Sequence, residues 1–319
     1  MIPPPLLRTL RAYVRHAPGL LGKPWLAGHL SDYLKHRPLM ATARTRDGAV
    51  YPVVTGDVIQ RYLWLFGVWE PHLTAWMRSR LAPGDLVVDA GAHTGYFTVL
   101  ASRLVGPSGR VVAIEPSPVF HQALTANIDA NGCSNNVRTV NAAVSDTPGR
   151  VTFYLERATN LGGTTSVRPR TVEASFEADA APLPTLLTRK ELAAARLIKI
   201  DVEGGEAAAV RGLTPVLNGL RDDVELVVEV TPRTLAKQGR TVDDVLGPLL
   251  DHGFHTYRLA NDYAAASYPA SLRRPAPPVR WRGPVTEMSD LVFSRLDVET
   301  LPSKPRRPPS SSRGPFTTP

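Results

Sequence analysis

DLVVDAGAHTGYF, residues 85–97, is the stretch of sequence that decides the fold. Its first part, DLVVDA, has the apolar centre of a strand that is buried inside a sheet. Gly91 and Gly95 then allow a tight turn from strand to helix, in which a ligand can approach the backbone closely. Their spacing, G-x-x-x-G, differs from the dinucleotide fingerprint G-x-G-x-x-G and so weighs against a nicotinamide-dependent dehydrogenase.

Strand and helix patterns alternate along the rest of the chain. After the strand at 85–90, the sequence predicts further strands at 110–114, 137–143, 197–202, 225–230, 254–259 and 291–294. It predicts helices between several of them, at 94–104, 117–132, 205–211 and 242–252. This alternation favours right-handed βαβ units. The expected fold is therefore α/β and Rossmann-like, a doubly wound, mainly parallel seven-stranded sheet with helices on both faces.

Changes in composition divide the chain into three parts. The sequence predicts an N-terminal helical region at 1–80, an α/β domain at 81–297 and a basic, Pro- and Ser-rich tail at 298–319 that should be disordered. Within the α/β domain, residues 263–286 are rich in Pro and Arg. This stretch is either a lid that grips an anionic or sugar-like substrate or a solvated surface loop.

The formal net charge of +8 and the pI of 9.8 would by themselves suggest a nucleic-acid partner. The positive charge lies at the ends, however, with +7 in residues 1–46 and +4 in residues 301–319. The body between them, residues 47–300, carries −3. Because a phosphate backbone is bound by clustered cations, no nucleic-acid partner is expected.

Residues 6–17 have apolar side chains at helical spacing, with Arg8, Arg11 and Arg15 mostly on the opposite face. We favour a helix packed on the domain over the alternative, a helix lying on a membrane surface. The arginines interrupt any apolar region of a secretory signal, and no apolar run reaches the length of about 18 residues that a membrane span needs. A cytoplasmic protein is expected, and the sequence leaves its oligomeric state open.

Charged residues cluster at the ends of two predicted strands. In IKIDVEGGE, residues 198–206, the side chains of Lys199, Asp201 and Glu203 share one face of a strand. Unpaired charges buried there would cost several kcal/mol, so the cluster is an ion pair, a cofactor contact or a catalytic group. Glu115 follows the strand at 110–114, where an acid can accept hydrogen bonds from both hydroxyls of a ribose.

The sequence gives little support for a metal site or a disulfide. Cys133 is the only cysteine, and the nearest pair of histidines, His252 and His255, has no cysteine or carboxylate beside it. Asp201 and Glu203 would need a third oxygen ligand to hold a metal ion, so we expect none.

Four motifs, in the order DAGAHTGYF, AIEPSP, NAAVSD and IKIDVEGGE, together resemble the FkbM-type methyltransferases. That family belongs to the class I S-adenosylmethionine-dependent enzymes. The stretch GVWEP, residues 67–71, looks like the family's entry helix, and the resemblance covers residues 62–213. His93 is one departure, because the family often has Asn at that position.

The resemblance implies S-adenosylmethionine as the cofactor and a class I methyltransferase domain at 81–297. It places five residues around the methionine part of the cofactor, Glu115 at the ribose and two residues near the adenine. Trp69 and Glu70 would close over the cofactor. Equally well, Trp69 is part of an aromatic stripe on a packed helix and Glu70 is a surface acid. The five residues around the methionine part are Asp89, Gly91, Ala92, His93 and Gly95, and the two near the adenine are Ser145 and Asp146.

The resemblance also implies the activity, O-methylation of a hydroxyl on a small molecule such as a sugar, a polyketide or another secondary metabolite. Asp201 or Glu203 would remove the hydroxyl proton, and Lys199 would tune the charge of that base. Two alternatives stay open at this point. One is an RNA methyltransferase, and the other is a protein that binds a nucleotide cofactor without transferring a methyl group.

Overall fold

The computed structural model describes residues 2–155, 164–166, 174–202 and 204–302. Its strands are β1 (Met40–Arg44), β2 (Val50–Val54), β3 (Leu86–Ala90), β4 (Arg110–Ile114), β5 (Val137–Val140), β6 (Ala143–Val144), β7 (Gly149–Leu155), β8 (Thr164–Thr165), β9 (Ala174–Ala181), β10 (Ala195–Ile200), β11 (Glu225–Val230), β12 (His255–Arg258), β13 (Val279–Arg280) and β14 (Ser289–Ser294).

The helices are α1 (Pro4–His16), α2 (Lys23–His36), α3 (Val58–Phe66), α4 (Pro71–Arg80), α5 (Tyr96–Val105), α6 (Pro118–Ala130), α7 (Leu183–Leu186), α8 (Arg189–Ala194), α9 (Glu206–Leu213), α10 (Pro232–Lys237), α11 (Asp243–Leu250) and α12 (Tyr268–Arg273). A 3₁₀ helix spans Thr214–Gly219. Among the helices of these described residues, none combines the length and the apolar character needed to cross a bilayer.

The main sheet has eight strands in the order β13-β12-β14-β11-β10-β3-β4-β5. Strands β11, β10, β3, β4 and β5 pair in parallel, whereas β14 runs antiparallel to both of its neighbours. The predicted α/β fold is confirmed, and all seven predicted strands lie in this sheet. The eighth, β13, adds two residues to one edge, which is too short a pattern to find from sequence.

Each face of the main sheet has its own hydrophobic core. Along β3, Val87 belongs to one core, together with buried residues of α1 to α5, while Val88 belongs to the other, together with residues of α9 and α11. Alternation of this kind follows from the period of two along a strand. It confirms that helices cover both faces, and it joins the N-terminal helices to the sheet in one core.

The N-terminal region contains more than the predicted helices. The helix predicted at 6–17 is α1, and it packs on the core through the buried side chains of Leu7 and Val14. Strands β1 and β2 form an antiparallel hairpin that the sequence did not predict. The side-chain amide of Asn131 accepts a hydrogen bond from the backbone N–H of Val50 at 2.8 Å and donates one to its carbonyl at 2.9 Å. The hairpin is thereby tied to the end of α6.

A second, four-stranded sheet follows β5 in the order β6-β9-β7-β8. Residues 151–155, whose alternating sequence favours a hairpin strand added to the sheet, form the last five residues of β7. Strand β7 pairs antiparallel with β9 along its whole length. Strand β9 was not predicted, because ASFEADAA is rich in alanine, a residue that is depleted in strands. Pairing with β7 and the contact between Phe153 and Phe176, at 5.3 Å between ring centroids, stabilise it instead.

A buried ion cluster lies at the amino-terminal ends of β10 and β11, in the middle of the main sheet. Glu225 accepts hydrogen bonds from Arg80 at 2.6 and 2.9 Å and from Arg196 at 2.9 Å. Each of the three side chains is at most 3% exposed. Because Arg80 ends α4 and Arg196 lies in β10, the cluster links the N-terminal helices to the sheet.

Candidate active site

The turn after β3 brings three strand ends together. The backbone N–H groups of Gly91 and Ala92 both donate to the carbonyl of Ile114, the last residue of β4, at 2.9 and 3.0 Å. Gly91 has a φ of +84°. A Cβ on Gly91 would lie 1.7 Å from the carbonyl oxygen of Asp201, just beyond β10. This position therefore requires glycine, both for its backbone conformation and for the close approach of the two chains.

His93 continues the turn in a left-handed conformation, with a φ of +51°. Asn and His are among the side chains that tolerate this region, so the turn is compatible with either residue. Its backbone N–H donates to Glu115 Oε2 at 2.8 Å, and its ring lies 4.1 Å from that of Phe120. Burial lowers the pKa of His93. Its Nε2 is buried and has no hydrogen-bond partner among the described residues.

The carboxylate of Glu115 is almost fully buried at the end of β4. Oε1 accepts from the backbone N–H of Ser117 at 2.9 Å, and Oε2 accepts from that of His93. Burial raises the pKa of Glu115 to about 7, although the two backbone hydrogen bonds favour the charged form. The carboxyl group is therefore held in one orientation, and its charge changes near neutral pH.

Lys199 and Asp201 form an ion pair at the end of β10, with 2.7 Å between Lys199 Nζ and Asp201 Oδ2. Burial lowers the pKa of Lys199, but the carboxylates of Asp201, Asp89 and Glu70 outweigh that effect and raise it overall. Lys199 is therefore a buried cation. The Asp201 side chain is 26% exposed and lines the cavity described below. Glu203 lies outside the described residues.

Asp89 lies beside this pair at the end of β3. One of its oxygens, Oδ2, accepts from the hydroxyl of Thr98 at 2.6 Å. The other, Oδ1, is buried and has no hydrogen-bond partner among the described residues. Burial raises the pKa of Asp89, and the nearby Lys199 opposes that effect. A buried acceptor without a donor is costly, so a polar ligand group would stabilise this position.

Asp146, predicted near adenine, forms an ion pair with Arg211 of α9 in which one carboxylate oxygen accepts from two guanidinium nitrogens. The distances from Asp146 Oδ2 to Nε and Nη2 of Arg211 are 3.0 and 2.8 Å. The hydrogen bonds from Arg211 lower the pKa of Asp146. The neighbouring Ser145 reaches the cavity, while Asp146 itself does not line it. Arg211 thus fixes the orientation of the predicted adenine contact.

Trp69 and Glu70 lie on the far side of the Lys199 pair and do not line the cavity. The hydroxyl of Tyr263 lies 3.2 Å from Glu70 Oε1 and 3.0 Å from Asp290 Oδ2, and its one proton can be donated to either. The side-chain amide of Asn261 donates to Asp290 Oδ2 at 2.7 Å and lies 3.5 Å from Glu70 Oε2. Burial raises the pKa of Glu70 well above its usual range. The ring of Trp69 lies 5.5 Å from that of Tyr263. Contact of these two residues with a cofactor stays a prediction.

One cavity of about 330 Å³ opens at the carboxyl ends of β3, β4 and β10. Five of the predicted residues line it. Four other residues predicted to bind the cofactor do not line it, namely Asp89, Ala92, Gly95 and Asp146. Lys199, Trp69 and Glu70 also lie outside the lining. The lining residues among those predicted are Gly91, His93, Glu115, Ser145 and Asp201.

Sequence reasoning missed several residues of this cavity. Phe120 and Phe153 supply aromatic walls, and Arg211, Gln238 and Arg240 supply polar ones from α9 and the segment after α10. They belong to no recognisable motif, and only the fold brings them to the strand ends. Asp290 does not line the cavity, but the sequence offered a reason to single it out, since it is a charge beside the apolar residues Leu291, Val292 and Phe293 of β14.

The Pro- and Arg-rich stretch at 263–286 contains α12 and β13. Two of its arginines are ion-paired, Arg280 with Asp297 at 3.1 Å and Arg282 with Glu299 at 2.6 Å. These partners favour the surface loop over the substrate lid for that part of the stretch. No group of three or more His, Cys, Asp or Glu side chains that could hold a metal ion occurs within the described ranges.

Comparisons with known proteins agree with the motifs. The model of the Methyltransferase FkbM domain matches residues 89–256. The 31-O-demethyl-FK506 methyltransferase FkbM of Streptomyces tacrolimicus is 32% identical over 42% of this chain and 61% of its own length. Methyltransferase sdnD of Sordaria araneosa is 28% identical over 31% of this chain and 37% of its own length, so the matches span only part of these relatives. A SAM-dependent O-methyltransferase from Thermotoga maritima aligns with a TM-score of 0.38 and 14% identity, over 83% of this chain and 80% of that one.

Proposed function

Because this chain belongs to the FkbM methyltransferase family, we propose that it methylates a hydroxyl group of a small molecule with S-adenosylmethionine as the donor. The Streptomyces relative is named for a substrate that lacks a methyl group on an oxygen. That name supports oxygen as the acceptor atom and a secondary metabolite as the acceptor class. The observation that carries the proposal is the convergence of Gly91, Glu115 and Asp201, from three strand ends, on one cavity.

The residues at these strand ends fit the cofactor. When it is bound, S-adenosylmethionine supplies an electrophilic methyl group on a positively charged sulfur. Glu115 would hold the ribose hydroxyls, and the backbone of the Gly91 turn would face the methionine part. His93 lines the cavity and its buried Nε2 has no partner among the described residues, so a polar cofactor group would satisfy it.

Asp201 is the residue we propose as the base. It lies at the cavity wall with one oxygen bonded to Lys199, and the other would accept the proton of the acceptor hydroxyl. Lys199 remains charged and holds the Asp201 carboxylate in place as a positioning residue. Holding acceptor and donor in line would supply much of the remaining rate enhancement. Glu203 stays an alternative base.

The proposal is tested by incubating the protein with methyl-labelled S-adenosylmethionine and a fractionated small-molecule extract. We expect the label in a small molecule, with the methyl carbon bonded to oxygen as identified by its NMR shift. Label on nitrogen or carbon, or in the RNA or protein fraction, would overturn the proposal.

Asp201→Asn is expected to reduce kcat by about 10²–10⁴-fold, because a positioned base contributes that much. The amide oxygen still accepts from Lys199, so the affinity for S-adenosylhomocysteine should change only a few-fold. Turnover and calorimetric binding measure the two quantities separately. The exposed carboxylate Asp222 gives the matched control, Asp222→Asn, which should leave both unchanged. Normal turnover in Asp201→Asn would show that another group is the base.

Binding of S-adenosylhomocysteine should strengthen as the pH rises through about 7, the pKa of Glu115. The charged carboxylate accepts stronger hydrogen bonds from the ribose than the protonated acid does. Burial lowers the pKa of His93, which moves its titration away from that of Glu115. Glu115→Gln should weaken binding by about 10- to 100-fold and remove the pH dependence between pH 6 and 8, both by calorimetry. A pH profile that is the same in both proteins would exclude Glu115 as the titrating group.

A further inference from the structure

The connection between α1 and α2, together with the first turn of α2, exposes three large apolar side chains. Leu21 is 86% exposed, Trp25 66% and Leu20 36%. We call these three residues the Leu21 tip. The apolar face of α1, which carries Leu7 and Val14, packs into the core, so the tip is separate from that face. Three exposed apolar side chains within six residues mark an interaction surface.

Hydrogen bonds fix the backbone of the Leu21 tip. The hydroxyl of Tyr13 donates to the carbonyl of Leu21 at 2.6 Å, and the backbone N–H of Lys23 donates to that of Leu20 at 3.1 Å. The ammonium group of Lys23 bonds to the carbonyl of Ala17. Since these bonds hold the turn from inside, the leucine side chains point outward as part of an ordered structure.

The part of the chain that carries the Leu21 tip is strongly basic. Burial lowers the pKa of Lys23, and the positive charges of Arg46 and Arg273 lower it further. Burial is the largest cause that lowers the pKa of His16, and the positive charges of Arg15 and Arg46 are the next largest. Residues 1–46 carry a net charge of +7, with Asp32 as their one acid. The surface around the tip therefore complements a negative partner.

We propose that the Leu21 tip inserts into the surface of an anionic phospholipid bilayer. Leucine side chains would enter the boundary between headgroups and acyl chains, where tryptophan is also favoured. The surrounding arginines would lie at the level of the lipid phosphates and add electrostatic attraction. This attachment differs from the membrane-surface alternative for residues 6–17, because it uses the turn after that helix. It is independent of the reaction and its acceptor.

Flotation of the full chain with lipid vesicles tests the proposal. We expect binding to phosphatidylcholine vesicles that contain phosphatidylglycerol, and much weaker binding to phosphatidylcholine alone or at high salt. The double variant Leu21→Ser, Trp25→Ser should bind about 10- to 100-fold more weakly, because it removes the inserted apolar groups. Both residues are exposed, so the variant should keep its wild-type thermal midpoint.

Val119→Ser is the matched control, since Val119 is an apolar side chain that is 64% exposed on α6 and far along the chain from the tip. It should bind vesicles like the wild type. Tryptophan emission should shift to the blue on binding, and Trp25→Phe should lose that shift while it keeps the binding. Equal binding by the double variant would assign the attraction to charge alone and overturn the proposal. A concentration-dependent dimer that the double variant abolishes, without vesicle binding, would identify a second copy as the partner instead.

Discussion

Gly91→Ala is expected to abolish cofactor binding and methyl transfer. The new Cβ would lie 1.7 Å from the carbonyl oxygen of Asp201 and 2.7 Å from its carbonyl carbon, so two backbone segments would have to separate. They cannot separate freely, because the backbone N–H of Asp201 donates to the carbonyl of Ala90 at 3.0 Å. The left-handed backbone adds about 1–2 kcal/mol of strain for alanine. We expect affinity for S-adenosylhomocysteine to fall by at least about 100-fold.

Gly132→Ala separates the steric contact with a neighbouring strand end from the strain of a left-handed backbone. Gly132 also has a positive φ, +67°, but a Cβ there meets no atom within 4 Å. It should therefore lose only the strain energy of about 1–2 kcal/mol and keep the wild-type affinity for S-adenosylhomocysteine. Calorimetric binding and chemical denaturation of both variants make the comparison. Equal behaviour of the two variants would mean that the strand ends can move apart.

Glu225→Ala is expected to lower the free energy of unfolding by about 3–5 kcal/mol. It would leave Arg80 and Arg196 buried without their shared charge partner, which costs far more than the loss of one hydrogen bond. Both arginines keep a bond to a backbone carbonyl, Arg80 to Pro302 and Arg196 to Asp223. Arg196 also keeps the Asp223 carboxylate at 3.7 Å, whereas Glu225 is the one charged partner of Arg80 among the described residues. Urea denaturation measures the change.

Glu177→Ala is the control for Glu225→Ala. Glu177 also pairs with an arginine, Arg150, but both side chains are more than half exposed, at 56% and 65%. Its removal should cost about 0–1 kcal/mol. If the two variants lost equal stability, burial would not be what makes the Glu225 cluster important. Glu225→Gln keeps a hydrogen-bond acceptor but no charge, so its loss in the free energy of unfolding should lie between those of the two variants.

The sequence was sufficient for the main sheet because its strands are apolar and alternate with helices. It was insufficient for β1 and β9, where alanine-rich segments become strands only through distant partners. Strand β9 depends on β7, and the hairpin of β1 and β2 is joined to Asn131, 81 residues from Val50. Such pairings are decided by tertiary contacts, which outweigh local propensity.

The candidate site likewise contains residues that the sequence predicts and others that only the fold brings together. Lys199 and Asp201 were predictable, because charges within an apolar strand are costly unless they are paired or bind a ligand. The structure pairs them with each other. The network around Glu70 was not, because its partners Tyr263 and Asp290 lie more than 190 residues away. The orientation of Asp146 also depends on Arg211, whose position on α9 no motif records.

The side chain of Asn131 also affects how copies of the protein meet one another. An unpaired strand edge offers N–H and C=O groups to a strand from another molecule, and such edge-to-edge pairing starts aggregation. At Val50, the amide of Asn131 already occupies both groups. A side chain thus takes the place of a neighbouring strand at the first residue of β2, and it blocks the hairpin from templating a shared sheet at that point.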